Sequence, residues 1–258
     1  MSVVWSCGGG TQSAAIAALI VTGDLPKPDA AVIADTGREA SQTWRYFDAV
    51  LRPELAKVGV DLIRLPHSLD GTGWNTVDRW GGKDGKTMLV PMYTTHGGGH
   101  TLSQTAKFCS NEWKARPVER YYRSLGLTGG RIWIGFTIDE LHRMRSFDPR
   151  AKWNHEYPLV DRRMDRGDCI AVVTRMGWPP PPRSSCWMCP YRTKDEWSHL
   201  KATDPGDFLM AIEFEQEAQA VDPTLYLHRS GVPLGSVDFH DAQADLLGDQ
   251  CASGMCFT

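Results

Sequence analysis

The sequence predicts an α/β protein: an open, mostly parallel sheet with helices on both faces, followed by a Cys-rich C-terminal extension. Two observations carry that expectation. Short apolar runs alternate with stretches of helical spacing near the N-terminus, and a glycine cluster separates the first run from the first helix. Residues 2–7 (SVVWSC) are a strand-length apolar run, and Gly8, Gly9 and Gly10 form a tight loop. Residues 14–21 are then uninterruptedly apolar up to Gly23, as a buried helix would be. Residues 30–34 (AAVIA) are a second strand, closed by Asp35-Thr36-Gly37. From 41 to 58, Trp44, Phe47, Val50, Leu51, Leu55 and Val58 recur at helical spacing, with Ser41 as N-cap. Residues 60–65 (VDLIRL) are a third strand and complete a βαβαβ opening.

Residues 70–99 (GTGWN, RWGGKDGK, THGGGH) mix glycine with Trp and charge, which predicts a long substrate-facing loop. A helix is expected over 107–125, a buried strand over 131–136 (RIWIGF), and a helix over 196–220 broken near Asp204, Pro205 and Gly206. Prolines 179–182 stiffen the approach to SSCWMCPYR. The chain thus divides into an α/β domain over 1–165, with a Gly-rich insertion at 70–100, and a Cys-rich helical extension and tail over 166–258.

At 258 residues the chain can bury a substantial core. Hydrophobic content of 41% and charged content of 23% exclude disordered and fibrous classes. A net charge of -3 argues against a generic polyanion binder but leaves room for a local basic surface. No run approaches the roughly 18–20 apolar residues of a membrane span, so a cytoplasmic protein without membrane contact is expected. Seven cysteines without a secretory signal read as reduced thiols, metal ligands or redox groups.

A loop between a first strand and a helix gathers backbone N–H groups at the positive end of the helix dipole, a ready site for phosphate. Gly8, Gly9 and Gly10 let the backbone approach a ligand, and the Thr11 and Ser13 hydroxyls can donate to phosphate oxygens. No Lys follows the glycines and GxGxxG is absent, which excludes a Walker A loop and a dinucleotide fingerprint. The plain alternative is a tight βα turn. The segment Ser6–Ser13 resembles the PP-loop, SGGxDS, of ATP pyrophosphatases and phosphoadenosine phosphosulfate (PAPS) reductases. Gly9, Gly10, Thr11, Gln12 and Ser13 fill its last five positions, with Gly8 in place of the first Ser and Gln12 in place of Asp. Asp35, Thr36 and Gly37 match a DTG that in that family lies beside the adenosine. Both motifs end consecutive strands, where open α/β sheets place ligands.

Cys186 and Cys189 form a CxxC, a spacing that serves zinc, an iron-sulfur cluster or a redox dithiol. Cys109 and Cys169 are the candidate further ligands, giving four thiolates. The stretch CSNEWKARP resembles the CCxxxKxxP of assimilatory adenylylsulfate (APS) reductases, with Lys114 and Pro117 in register and Ser110 in place of the second Cys. That resemblance implies a 4Fe-4S cluster, with structural zinc as the alternative. Cys251 and Cys256 lie in a polar tail. Tails of sulfonucleotide reductases carry a catalytic Cys, a role the resemblance offers to Cys256.

In GFTIDELHRMRS, Arg143 or Arg145 could neutralise charge developing on an α-phosphate, and Asp139 or Glu140 could hold Mg or orient an arginine. A solvated amphipathic helix is the plain alternative. Gly135, Asp139, Glu140 and Arg143, then Tyr157-Pro158-Leu159 and Cys186, Cys189, Pro190 and Tyr191, match proteins of the PAPS reductase-like family. The resemblance implies three alternatives. One is an ATP pyrophosphatase that adenylates an acceptor, a nucleic acid among the candidates, for sulfur transfer from a donor. The second is a PAPS or APS reductase that uses a thiol reductant. The third is a non-catalytic nucleotide-binding module with structural zinc. A homodimer is compatible with all three.

Overall fold

The computed structural model describes residues 1–75, 78, 80–81, 87–96 and 101–239. The chain divides into two compact units, Met1–Thr76 with Trp113–Ser184, and Val77–Glu112 with Ser185–Thr258.

The first unit holds five strands: β1 (Ser2–Ser6), β2 (Ala30–Ala34), β3 (Leu62–Leu65), β4 (Gly130–Trp133) and β5 (Trp153–Glu156). They lie in the order β3-β2-β1-β4-β5, and every neighbouring pair is parallel. Val4 of β1 registers with Ala30 on one side and Ile132 on the other. The chain therefore winds outward from β1 in one direction, then returns to build the other half. The switch point lies between β1 and β4, where open α/β sheets open a crevice beyond the strands' C-terminal ends.

Parallel strands require crossovers, and the helices cover both faces. These are α1 (Thr11–Thr22), α2 (41–57, widened to a π turn at Phe47–Leu51), α3 (Arg116–Ser124), α4 (Pro158–Asp161) and α5 (Arg166–Arg175). Trp5, Ala31, Ile33, Leu62 and Trp133 pack on one face with Ile16 and Ile20 of α1, Phe47 and Leu51 of α2, and Val173 of α5. Their alternates Val4, Val32, Leu65 and Ile132 face Val118 and Tyr122 of α3. Period-two alternation thus feeds two cores. The Tyr122 hydroxyl, buried, donates to the Trp5 carbonyl at 3.0 Å and ties α3 to the central strand. Helix α1 is apolar on all sides because it is enclosed on all sides, Ala14 to Ala18 being wholly buried.

The expected boundary near residue 165 moves, because Cys169, Val172 and Val173 bring α5 into the first core and the first unit runs on to Ser184. Strand β5 (WNHE) was not legible, since a polar edge strand half-buried at every position lacks alternation. The segment expected as one loop over 70–99 contains pairing. In the second unit Trp80–Gly81 pairs antiparallel with Thr87–Met88, and Tyr93–His96 pairs with Thr101–Gln104 and Leu225–Tyr226. Helices α6 (Lys194–Thr203) and α7 (Pro205–Val221) follow, broken where the sequence predicts it by a proline in the first turn of α7. Buried Glu215 accepts from the Leu227 and Leu234 amides at 2.7 and 2.5 Å, pinning the chain beyond α7. Among the described residues, no helix is long and apolar enough to cross a membrane.

Candidate functional site

The glycine loop sits at the end of β1, beside the switch point. The Cys7 amide donates to the Val32 carbonyl at 2.8 Å, holding the chain on the sheet up to the glycines that follow. Gly9 turns with φ +78°, and a Cβ there would lie 2.7 Å from Thr43 Cγ2, so both handedness and space demand glycine. Gly10 is the N-cap of α1 and supplies no side-chain cap. The first-turn amides of α1 therefore have no intrahelical acceptor and stand at the positive end of the helix dipole. Ser13, the last site hydroxyl, folds back so that its Oγ accepts from the Gly8 amide at 2.8 Å, which leaves its own proton to donate. A Cβ on Gly10 would lie 2.9 Å from Ser184 Oγ and 3.4 Å from the Pro182 carbonyl, so the stiff proline run ends against the loop. Thr11 is buried beneath it, and Ser6 is half-buried at the end of β1. Burial pushes the Cys7 thiol up to about 11, which keeps it neutral and inert.

At the end of β2, Asp35 is already engaged. Its Oδ1 accepts from the Gly37 amide at 2.7 Å, and its Oδ2 accepts from Arg64 Nε and Nη2 at 2.9 and 2.6 Å. The Arg64 guanidinium also lies 3.6 Å over the Trp44 ring. Thr36 Oγ1 accepts from the Arg38 amide, and buried Arg38 lies 4.6 Å over the Trp113 ring. Lys114 Nζ comes within 3.5 Å of a Glu39 oxygen, so the lysine of the CSNEWKARP segment reaches the chain just after the DTG turn. Sequence reasoning missed Arg64, Trp44 and Arg38. The available signal was Arg64 in the otherwise apolar stretch LIRL, since a buried parallel strand is close to continuously hydrophobic.

On the other side of the switch point, Gly135 follows β4, and a Cβ there would lie 3.2 Å from Gln12 Cβ. The loops after β1 and β4 are therefore in contact. A 3-10 helix, Ile138–Arg143, follows and is closed by a capping box between Thr137 and Glu140. Buried Glu140 accepts from Gln12 Nε2 at 3.2 Å through one carboxylate oxygen and from Arg143 Nη1 through the other. This explains the departure at Gln12: a carboxylate there would face Glu140, whereas an amide donates to it. The Arg143 side chain is 4% exposed and lies 4.3 Å over Phe136, whose ring stacks on Tyr157. Its Nε and Nη2 have no hydrogen-bond partner among the described residues.

Of the two acids offered beside the arginines, Asp139 bonds away from Arg143. Its carboxylate accepts from the Arg166 amide at 3.0 Å and from Thr137 Oγ1 at 3.4 Å, closing the start of α5, and Glu140 is the acid that orients Arg143. The cysteines also divide. Cys169 is fully buried where α5 meets α1, and burial pushes its thiol up to about 12. That placement is one a packing thiol takes. In the second unit, the Cys109 amide donates to the Leu89 carbonyl at 2.8 Å. Cys186 and Cys189 share one turn, with the Cys189 amide and Arg192 Nη2 both donating to the Cys186 carbonyl. Among the described residues, no three His, Cys, Asp or Glu side chains gather to hold a metal ion. Cys251 and Cys256 lie outside the described residues.

No protein-family model matches the chain, and no curated protein is significantly similar to it. Among solved structures, it is similar to the crystal structure of phosphoadenylyl-sulfate (PAPS) reductase from Candida auris in its phosphate complex. The identity is 13%, over 70% of this chain and 75% of that one, with a TM-score of 0.43. The fold assignment itself stands on the five parallel strands in the order β3-β2-β1-β4-β5.

Proposed function

We propose that the chain binds an adenine nucleotide across the switch point and activates an acceptor by adenylation, as its resemblance to the PP-loop class implies. One observation supports this most: buried Arg143 keeps two donors without a partner among the described residues, beside a glycine loop whose helix amides lack a side-chain cap. A buried guanidinium with unmet donors is costly unless an anion completes it. In the reaction, an acceptor oxygen or nitrogen attacks the α-phosphorus of ATP, a bond to the acceptor forms, and the bond to the bridging oxygen breaks. Pyrophosphate leaves with that electron pair. The loop amides and the Ser13 hydroxyl hold phosphate oxygens, and Arg143 offsets the charge that accumulates. No step runs through the cysteines.

ATP–pyrophosphate exchange in the presence of candidate acceptors tests this reading. Loss of Arg143 in Arg143→Ala is expected to lower exchange by about 10²–10³, the usual effect of removing one donor to developing charge. A wild-type protein that binds ATP without exchange would leave the non-catalytic module, and one that binds no adenine nucleotide would sink both. A second reading, sulfonucleotide reduction, is favoured by Lys114 lying at Glu39, beside the DTG turn. Sulfite release from adenylylsulfate, with no exchange, would select it.

A further inference from the structure

The 3-10 helix that buries Glu140 and Arg143 turns apolar side chains outward. Ile138 and Leu141 of the helix, and Met144, the extended residue that ends it, are all exposed. The turn beyond it is firmly built. The Arg145 amide donates to Tyr157 Oη at 2.7 Å, the Asp148 amide to Asn154 Oδ1 at 2.8 Å, and Asn154 Nδ2 to the Asp148 carbonyl at 3.0 Å. Between these anchors Phe147 is 73% exposed. Exposed Arg145, Arg150 and Lys152 surround it in the chain, and Asp148, 3.6 Å from Arg150, is the one acid among them. Bonds from the Ile138 amide to the Met164 carbonyl and from the Arg166 amide to Asp139 bring the exposed Arg163 and Arg166 to the same helix, where Asp139, Asp161, Asp165 and Asp168 offset them. Arg163 is left-handed, with φ +54°, the one non-glycine residue so held among those described.

We propose that this face binds a single-stranded nucleic acid, with Phe147 stacking on a base and Arg145, Arg150 and Lys152 meeting its phosphates. Three cations against one acid around Phe147 favour a polyanion over a second copy of this chain docked by the same face, which would set like charges against one another. A ring displayed on a rigid turn between cations suits a strand whose base faces are open, and a duplex hides those faces. This assignment deepens the reading above, since it names the acceptor as a nucleic-acid strand, but binding at the face does not need the nucleotide loop.

Fluorescence anisotropy with labelled oligonucleotides of about 20 residues, RNA and DNA, single-stranded and duplex, tests it between about 50 and 200 mM salt. Phe147→Ala should weaken single-strand binding by about 5- to 150-fold with its salt dependence unchanged, the range for one stacked base. The pair Arg145→Gln and Lys152→Gln should lower the slope of log affinity against log salt by about 1.4, from two phosphates. Ser13→Ala should lose ATP and keep the oligonucleotide, so failure of the nucleotide reading is seen separately. No binding at low salt, duplex bound as tightly as single strands, or an unaffected Phe147→Ala overturns the proposal. So does a wild-type dimer that Phe147→Ala converts to a monomer, which assigns the face to a second copy.

Discussion

Replacing Glu140 with Ala removes the carboxylate that faces both Arg143 and Gln12 while leaving the Arg143 side chain in place and 4% exposed. Breaking a buried pair from one side leaves an uncompensated charge, a loss of about 3–5 kcal/mol. For a protein of this size 1 kcal/mol moves Tm by about 2–4 °C, so Glu140→Ala should melt about 6–20 °C lower. The same argument fixes the sign of a second effect. Pyrophosphate or ATP placed on the freed guanidinium supplies the missing anion, so saturating ligand should raise Tm more in the variant than in the wild type. Glu140→Gln keeps the shape and an acceptor but loses the charge, and should fall between the two. Thermal unfolding with and without ligand reads both effects. A loss below about 1 kcal/mol, or equal ligand shifts in variant and wild type, would refute the assignment of Arg143 as a poised anion receptor.

Gly9→Ala should lose about 1–3 kcal/mol more than Gly23→Ala, because both force a left-handed alanine but only Gly9 faces a side chain, Thr43; denaturant melts showing equal losses would remove the steric argument. Arg64→Ala should change stability by less than about 1 kcal/mol, the ion pair being 41% exposed on the arginine side, yet weaken nucleotide binding by releasing Asp35. Calorimetric titration showing unchanged affinity would detach the DTG turn from the site. The thiols of Cys7 and Cys169 are raised to about 11 and about 12, above an unfolded value of 9.0. Folding therefore holds their protons more tightly than the unfolded chain, so they leave stability unchanged below pH 9 and erode it above. The loss should approach about 1.4 kcal/mol per pH unit for each thiol between pH 9 and about 11. Cys7→Ser with Cys169→Ala should flatten the curve measured by urea melts from pH 8 to 11.

The glycine-loop side of the candidate site was legible because it is local. A glycine cluster after an apolar run, and DTG after the next, announce loops at strand ends, and period-two and period-3.6 patterns place those strands and helices in one layered sheet. Gln12 was legible only as a departure from SGGxDS; its reason, Glu140, lies on a separate loop after β4, and contact between the two follows from β4 returning to the free side of β1. The cysteine spacing suggested four ligands, yet Cys169 belongs to the seam of α5 on α1, and no spacing rule distinguishes a core thiol from a ligand.

By itself the sequence determined the alternation of strand and helix, the glycine loop, the DTG turn and the Asp204-Pro205 break, since each depends on residues close in the chain whose backbone preferences and apolar periods act locally. Only the tertiary structure decided that Arg143 is buried on Phe136, that Glu140 and not Asp139 holds it, that Arg64 grips Asp35, and that Phe147 stands out on an anchored turn. Those outcomes depend on which loops the strand order brings together, and partners distant in sequence leave no local pattern to read.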